Sequence, residues 1–226
     1  MEGGIPVVTI DGPSGSGKGT VARRVAAELG YHLLDSGAIY RLLALAADRA
    51  GVALDDEAGL VRIAGVMRLA FSSDGDDPRT WLNGEDVTDQ ARTEACGDQA
   101  SQVAALPAVR KALLQRQRDF RKPPGLVADG RDMGTVVFPD AAVKIFLTAS
   151  ADERARRRHK QLKVQGVGVN LPTLLEEIEA RDRRDAERPV SPLVPAEGSV
   201  PIDTTGLSVE AVVDRVLSQV RRRVDR

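Results

Sequence analysis

The run Gly12-Pro13-Ser14-Gly15-Ser16-Gly17-Lys18-Gly19-Thr20 restricts this chain more than any other feature, because of what flanks it. The short apolar run Val7-Val8-Thr9-Ile10 precedes it, and the amphipathic stretch Val21–Leu29 follows it. Strand, glycine loop and helix in that order make a cradle for phosphate. Phosphate oxygens need many donors at close range, and glycines let backbone N–H groups turn inward without side-chain clash. The N-terminus of the next helix adds a favourable dipole. Lys18 supplies a mobile positive charge for the terminal phosphates of a nucleotide. A plain glycine-rich surface loop is the alternative; the lysine, the spacing and the flanking elements together weigh against it. Lys18 is expected at the surface, adding little to packing. Gly19 stands where the general pattern has Ser or Thr as a magnesium ligand, and Thr20 comes one position later. Magnesium held through water, not by a loop hydroxyl, is therefore the expectation.

Other short apolar runs recur along the chain: His32-Leu33-Leu34 ending at Asp35, Leu126-Val127-Ala128, Val143–Leu147 and Val200-Pro201-Ile202. Runs of this length without alternation fit strands covered on both faces, as in a parallel sheet. Pro201 either argues against the last of them as a strand or places it at an edge. Amphipathic stretches lie between them. Ser150-Ala151-Asp152-Glu153 has capping-box spacing and opens a helix toward Lys163. Val209, Val212, Val213, Val216, Leu217 and Val220 keep one helical stripe. The alternation predicts an α/β fold with a doubly wound parallel sheet.

Between about Met67 and Thr88 the pattern changes. Arg68–Phe71, the turn residues Asp74-Gly75-Asp76-Asp77-Pro78 and Thr80–Val87 with its Asn83-Gly84 pair predict a small antiparallel meander, since Asn-Gly is a strong hairpin signal. Val103 to Phe120 then reads as one long helix. At 226 residues the chain fits one large domain or one core with insertions.

Composition narrows the function. The formal net charge is -1 with 32 basic and 33 acidic side chains, unlike the basic excess of a dedicated nucleic-acid binder. Cys96 is the one cysteine, so no intrachain disulfide can form, which fits a reducing compartment. Its ordinary reading is a small packed residue. No apolar run reaches the roughly 18 residues of a membrane span. Met1 to Pro6 lacks the charged and apolar regions of a signal peptide. A cytoplasmic protein with no membrane and no nucleic-acid partner is expected. His32 and His159 lack metal-ligand spacing.

Candidate residues for a second anion lie downstream. Asp35-Ser36-Gly37-Ala38-Ile39-Tyr40-Arg41 sits at a strand end, where open α/β sheets bind ligands. Ser36 is either a helix N-cap or part of that site, and Arg41 either solvated or a phosphate ligand. Asp129-Gly130-Arg131-Asp132-Met133-Gly134-Thr135 follows another strand. Asp129 is placed like the acid that positions a nucleotide-bound metal, Arg131 can grip phosphate bidentately, and Asp132 can accept from an exocyclic amine. A structural turn is the alternative. Arg181, Asp185 and Arg188 recur at i, i+4 and i+7 on one helix face, either salt-bridged in solvent or turned to a ligand. Arg154, Arg156, Arg157 and Arg158 crowd a helix start beside His159 and Lys160. Cations there oppose the helix dipole, which favours a ligand-facing role over plain surface.

Taken together, Gly12–Thr20, Asp35–Arg41, Ala100-Ser101-Gln102-Val103-Ala104 and Asp129 through Phe138-Pro139-Asp140 resemble the bacterial cytidylate kinase family, from about Val7 to Val216. The stretch from Asp129 is the specific one; the phosphate loop is shared by many families. The resemblance implies a single kinase domain over 1–226 with a five-stranded core. It implies a nucleoside-monophosphate-binding region at 36–102 holding the β insert at about 67–88, as in the long bacterial form, and a short helical lid at 151–170. It places ATP on Gly12, Pro13, Ser14, Gly15, Ser16, Gly17, Lys18, Gly19 and Thr20. It places CMP among Ser36, Tyr40, Arg41, Ser101, Arg110, Arg131, Asp132, Arg181, Asp185 and Arg188. Lys18, Arg131, Arg157, Arg158 and Arg188 would carry the charge of catalysis, with Mg2+ as cofactor and Asp129 its partner through water. The implied reaction moves a phosphoryl group from ATP to CMP, with dCMP as a further acceptor, in a monomer. Rival readings are a kinase for UMP, AMP or a deoxynucleotide, a GTPase switch, and a nucleic-acid-binding module. The GTPase needs an Asn-Lys-x-Asp stretch that is missing here. The aromatic content of 3% leaves the third few stacking platforms.

Overall fold

A computed structural model of the chain describes residues 4–72, 78–164 and 166–224. The chain divides into two compact units, one of 1–34 with 121–226 and one of 35–120.

The first unit is built on β1 (Val7–Asp11), β2 (His32–Asp35), β6 (Leu126–Gly130), β7 (Val143–Thr148) and β8 (Val200–Asp203), in the order β2-β6-β1-β7-β8. β1 pairs parallel with β6 and β7, and β7 with β8. β1 is therefore central, and every one of its residues is buried, as its unbroken apolar run requires. β8 lies at the edge, the position in a sheet where a proline is tolerated. The helices of this unit are α1 (Lys18–Leu29), α7 (Ala151–Val164), α8 (Leu171–Ala186) and α9 (Val209–Val224). Val212, Val213, Val216, Leu217 and Val220 of α9 bury their stripe with Val21 and Val25 of α1 against Val8, Val143 and Leu147. α1 begins earlier than the apolar pattern suggests, at Lys18, with Gly17 as N-cap.

The second unit holds α2 (Ser36–Arg49), α3 (Glu57–Val66), β3 (Leu69–Phe71), β4 (Thr80–Leu82), β5 (Glu85–Asp86), α4 (Thr88–Arg92), α5 (Glu94–Val103) and α6 (Pro107–Arg118). Strands β3-β4-β5 form the expected antiparallel meander, with Leu69 opposite Leu82 and Trp81 opposite Asp86. Asn83 and Gly84 turn between β4 and β5 with φ of 54° and 91°, a pair of left-handed values that Asn-Gly adopts readily. The turn expected at Asp74 to Asp77 lies outside the described residues.

Two local expectations are corrected. The single helix from Val103 to Phe120 is two helices: α5 ends at Val103 and α6 starts at Pro107. A proline pushes its predecessor out of helical geometry, and Leu106 sits at φ −81°, ψ 120°. Proline itself suits the first position of a new helix, whose N–H has no partner anyway. Ser36 is not the N-cap of α2. Asp35 caps it, its carboxylate accepting the Ala38 N–H at 3.0 Å.

Candidate active site

β1 ends at Asp11, and the glycine loop follows at once. Gly12 has φ 152°, and a Cβ there would collide with the carbonyl oxygen of Leu147 on β7. Gly17 caps α1 at φ 90°, which frees the first N–H groups of the helix. Within the loop, Ser16 Oγ and Lys18 Nζ both donate to the carbonyl of Pro13 at 3.0 Å.

Lys18 is 7% exposed, so it is no surface lysine. Burial pushes its ammonium down to about 7, and the like charges of Arg131 and Arg181 push the same way against Asp129 and Asp185. A cation so placed is poised to gain from a bound anion.

Around it stand residues from β6, the following turn and α8. Arg131 donates from Nε to Asp185 Oδ2 at 2.8 Å, and Arg188 donates from Nη2 to Asp185 Oδ1 at 2.5 Å. Burial alone would raise the Asp185 carboxyl; Arg131 and Arg188 overcome it and hold Asp185 well below the usual carboxylate range. Burial likewise works against the Arg131 charge, and Asp185 more than restores it. Arg188 lies beyond the end of α8, past the C-cap Glu187, so the shared carboxylate, not a common helix face, brings it to Arg131. Asp129 and Asp132 are both buried.

The arginines of α7 divide. Arg154 is buried and grips Asp182 of α8 with both terminal nitrogens while donating to the Ser14 and Ala149 carbonyls. Arg157 donates to the side chain of Glu153 and to both the hydroxyl and the carbonyl oxygen of Thr204. Thr204 Oγ1 in turn lies 3.1 Å from the Ser16 carbonyl. The first two turns of α7 are thus tied to the phosphate loop. Arg158 donates to Gln161, and Arg156 is exposed.

Within the second unit, Tyr40 and Arg110 come together, the guanidinium carbon 5.7 Å from the ring centroid. Arg110 also donates to the Ala104 carbonyl at 3.0 Å. Arg41 donates to the carbonyls of Ala91 and Thr93, and Gly97 leaves it room, since a Cβ there would meet its guanidinium at 2.9 Å. Ser36 Oγ donates to Gln117 at 2.7 Å, and both residues are buried. The Ser101 hydroxyl is buried and has no hydrogen-bond partner among the described residues, a cost that a buried hydroxyl normally avoids unless a ligand completes it. Cys96 is a buried free thiol, and burial raises it above its ordinary value.

Sequence reasoning did not single out Asp11, Gln117, Asp182 or Thr204. Asp11 carried a usable signal, an acid closing an apolar strand, as Asp129 does. The other three act through partners distant in the chain and leave no local spacing to read.

Asp129 bears on the magnesium expectation. A Cβ at Gly19 would stand 3.2 Å from Asp129 Oδ2, so the carboxylate occupies the flank of the loop where a hydroxyl-bearing side chain would otherwise be. Among the described residues no group of three or more His, Cys, Asp or Glu side chains is arranged to hold a metal ion. The Asp129 carboxylate beside the loop is an oxygen donor of the kind that Mg2+ takes. Also among the described residues, no helix is long and apolar enough to cross a membrane.

Comparison with known proteins adds to this geometry. Residues 8–222 match the family model described as cytidylate kinase. The chain is 60% identical over 221 residues to the cytidylate kinase of Stutzerimonas stutzeri, covering 97% of this chain and 96% of that one. It is 59% identical over 220 residues to that of Pseudomonas fluorescens SBW25, covering 96% of each chain. It is 58% identical over 225 residues to that of Pseudomonas aeruginosa UCBPP-PA14, covering 99% and 98%.

Proposed function

The chain belongs to the cytidylate kinase family, and on that premise we propose that it catalyses ATP + CMP ⇌ ADP + CDP, with dCMP as a second acceptor. The observation that supports this reading best is the charge arrangement beside the phosphate loop. Arg131 and Arg188 share the Asp185 carboxylate, and Arg131 acts electrostatically on the buried Lys18. A loop for one anion next to a guanidinium pair for another suits transfer between two phosphates.

No side chain needs to act as a nucleophile. An oxygen of the acceptor phosphate attacks the γ-phosphorus of ATP, the bond from that phosphorus to the β,γ-bridging oxygen breaks, and ADP leaves with the electron pair. The protein's task is positioning and charge neutralisation. Gly12 to Thr20 hold the donor phosphates. Lys18, Arg157 and Arg158 offset charge on the transferring group. Arg157 must leave Thr204 to do so. Ser36, Arg41, Arg131 and Arg188 hold the acceptor phosphate; Ser101, Arg110 and Asp132 read the base; Tyr40, Arg181 and Asp185 complete the acceptor side. Magnesium bound to ATP neutralises phosphate charge, and Asp129 would orient its water ligands. The lid at 151–170 excludes water, which otherwise hydrolyses ATP. A monomer in the cytoplasm completes the reading.

A coupled assay of ADP release tests it. CMP and dCMP should drive ADP formation well above the rate with ATP alone. No CMP-dependent rate sinks the proposal.

A further inference from the structure

Asp11 closes β1, and its carboxylate is used by no step above. It is 3% exposed. Its Oδ1 accepts the backbone N–H of Met133 and its Oδ2 that of Gly134, each at 2.8 Å. Burial pushes the carboxyl up to about 7 against those two amides, and the neighbouring acids Asp132 and Asp129 push it further the same way. A buried acid beside two others is unfavourable unless its acceptors are needed. Here both are in use.

Position gives the arrangement its meaning. β1 and β6 pair in register with Asp11 opposite Gly130. The carboxylate extends that pairing past the strand end, onto the single π-helical turn Met133–Val137. Arg131 and Asp132 lie between Gly130 and that turn. The turn also lies close against the end of β1: a Cβ on Gly134 would stand 2.9 Å from Thr9 Oγ1, 3.2 Å from Ala196 Cβ and 3.3 Å from Asp11 Oδ2. The turn is therefore bonded to Asp11 and packed tightly against Thr9 and Ala196. Two amide donors converge on one side chain, and only a carboxylate offers an acceptor to each. Asparagine offers one acceptor and one NH2, which would face an N–H with no acceptor between them.

We propose that Asp11 is a positioning residue for the acceptor nucleotide. It fixes the turn from which Arg131 and Asp132 project, so CMP is gripped and read through a residue that never touches it. The inference rests on the proposed roles of Arg131 and Asp132.

The test uses the full chain carrying Asp11→Asn. KM and kcat are measured for CMP and UMP, KM for ATP, and Tm by calorimetry. The expected signature is a rise of about tenfold or more in KM for CMP and a fall in the CMP-over-UMP ratio of kcat/KM, with KM for ATP within about threefold of wild type. Asp11→Glu, which keeps both acceptors, should recover part of the CMP affinity. A lowered Tm with unchanged KM for CMP and unchanged ratio overturns the inference, because a merely structural role moves stability alone. If Asp11→Asn does not fold, Gly134→Ala carries the test, since its Cβ must push the same turn away from Thr9 and the Asp11 carboxylate. The same CMP-specific rise is expected, and an unaltered KM for CMP overturns the proposal. Wild type inactive on CMP would defeat the functional reading instead, so the two failures are distinguishable.

Discussion

Arg131 donates from Nε to Oδ2 of Asp185 at 2.8 Å, and Oδ1 of the same carboxylate accepts from Arg188 Nη2, so Asp185 links the two guanidinium groups. Asp185→Ala should therefore cost stability and acceptor binding together. Breaking a buried pair by removing one partner costs about 3–5 kcal/mol. The pH dependence has a definite sign. The folded-state pKa of Asp185 is depressed below its ordinary 3.8, so its contribution is fully present above 3.8 and is lost as pH falls from there through the lower folded-state value. Acid unfolding followed by circular dichroism should start at lower pH in wild type than in Asp185→Ala. Coincident curves would remove Asp185 from its anchoring role.

Lys18→Met should abolish most turnover without lowering Tm. Lys18 is a cation buried against its own preference, as its depressed pKa shows, so an apolar replacement relieves desolvation in the ligand-free protein. Loss of an electrostatic donor to the transferring group is worth about 100-fold or more in kcat. Turnover within about tenfold of wild type would sink the assignment of Lys18 to the transferred phosphate.

The same residue links ATP binding to protons. In the ligand-free protein Lys18 titrates near pH 7, and bound phosphates should return it toward its ordinary 10.5. At pH 8, ATP binding should take up close to one proton more than binding to Lys18→Met, and ATP affinity should weaken as pH rises above 7. Calorimetry in buffers of different ionisation enthalpy reads the difference. Equal uptake by both proteins contradicts it.

Lid motion should begin beyond Arg157. Arg154 and Arg157 fasten the start of α7 to Ser14, Asp182 and Thr204, whereas Val164 and Val167 are exposed. Hydrogen exchange should find 154–158 protected without ligand and 166–170 protected only with both nucleotides bound. Equal protection of 166–170 in both states counts against a lid there.

Asp132 should help distinguish cytosine from uracil. Cytosine presents an amine donor at position 4, uracil a carbonyl, and an ionised carboxylate only accepts. Asp132 is 3% exposed, so a facing carbonyl would meet it without water between them. Asp132→Ala removes a charge-assisted hydrogen bond from CMP, about 1.5–3 kcal/mol, and relieves repulsion of UMP. The CMP-over-UMP ratio of kcat/KM should fall by about tenfold or more. Equal losses on both substrates would retire the base-reading role.

What the sequence revealed was local. Val7 to Ile10 had to be a covered strand, and β1 is central. Pro201 left the last run either no strand or an edge strand, and β8 is an edge strand. Asn83-Gly84 specified its own turn. The break at Leu106 was legible too, since Pro107 signals it, but the apolar spacing running on from Val103 masked it. The remaining features depend on partners far along the chain. Ser36 has a capping residue's chemistry, yet its hydroxyl goes to Gln117, 81 positions away, and Asp35 caps instead. Arg154 and Arg157 read as ligand-facing cations, and the partners they hold in the structure, Asp182 and Thr204, share no spacing with them. Lys18 looked exposed because no periodicity reports how far a glycine loop folds over its own lysine.

The central claim is a choice of acceptor, and a competition measures it most directly. CMP, dCMP, UMP, GMP and isotope-labelled AMP are mixed at equal concentration with limiting ATP and magnesium, and the diphosphates formed at low conversion are separated and quantified, the label telling ADP made from AMP from the ADP that the donor leaves. CDP and dCDP should dominate the products, with UDP lower by about tenfold or more. A mixture in which UDP, ADP from AMP, or GDP forms as fast as CDP would contradict the account.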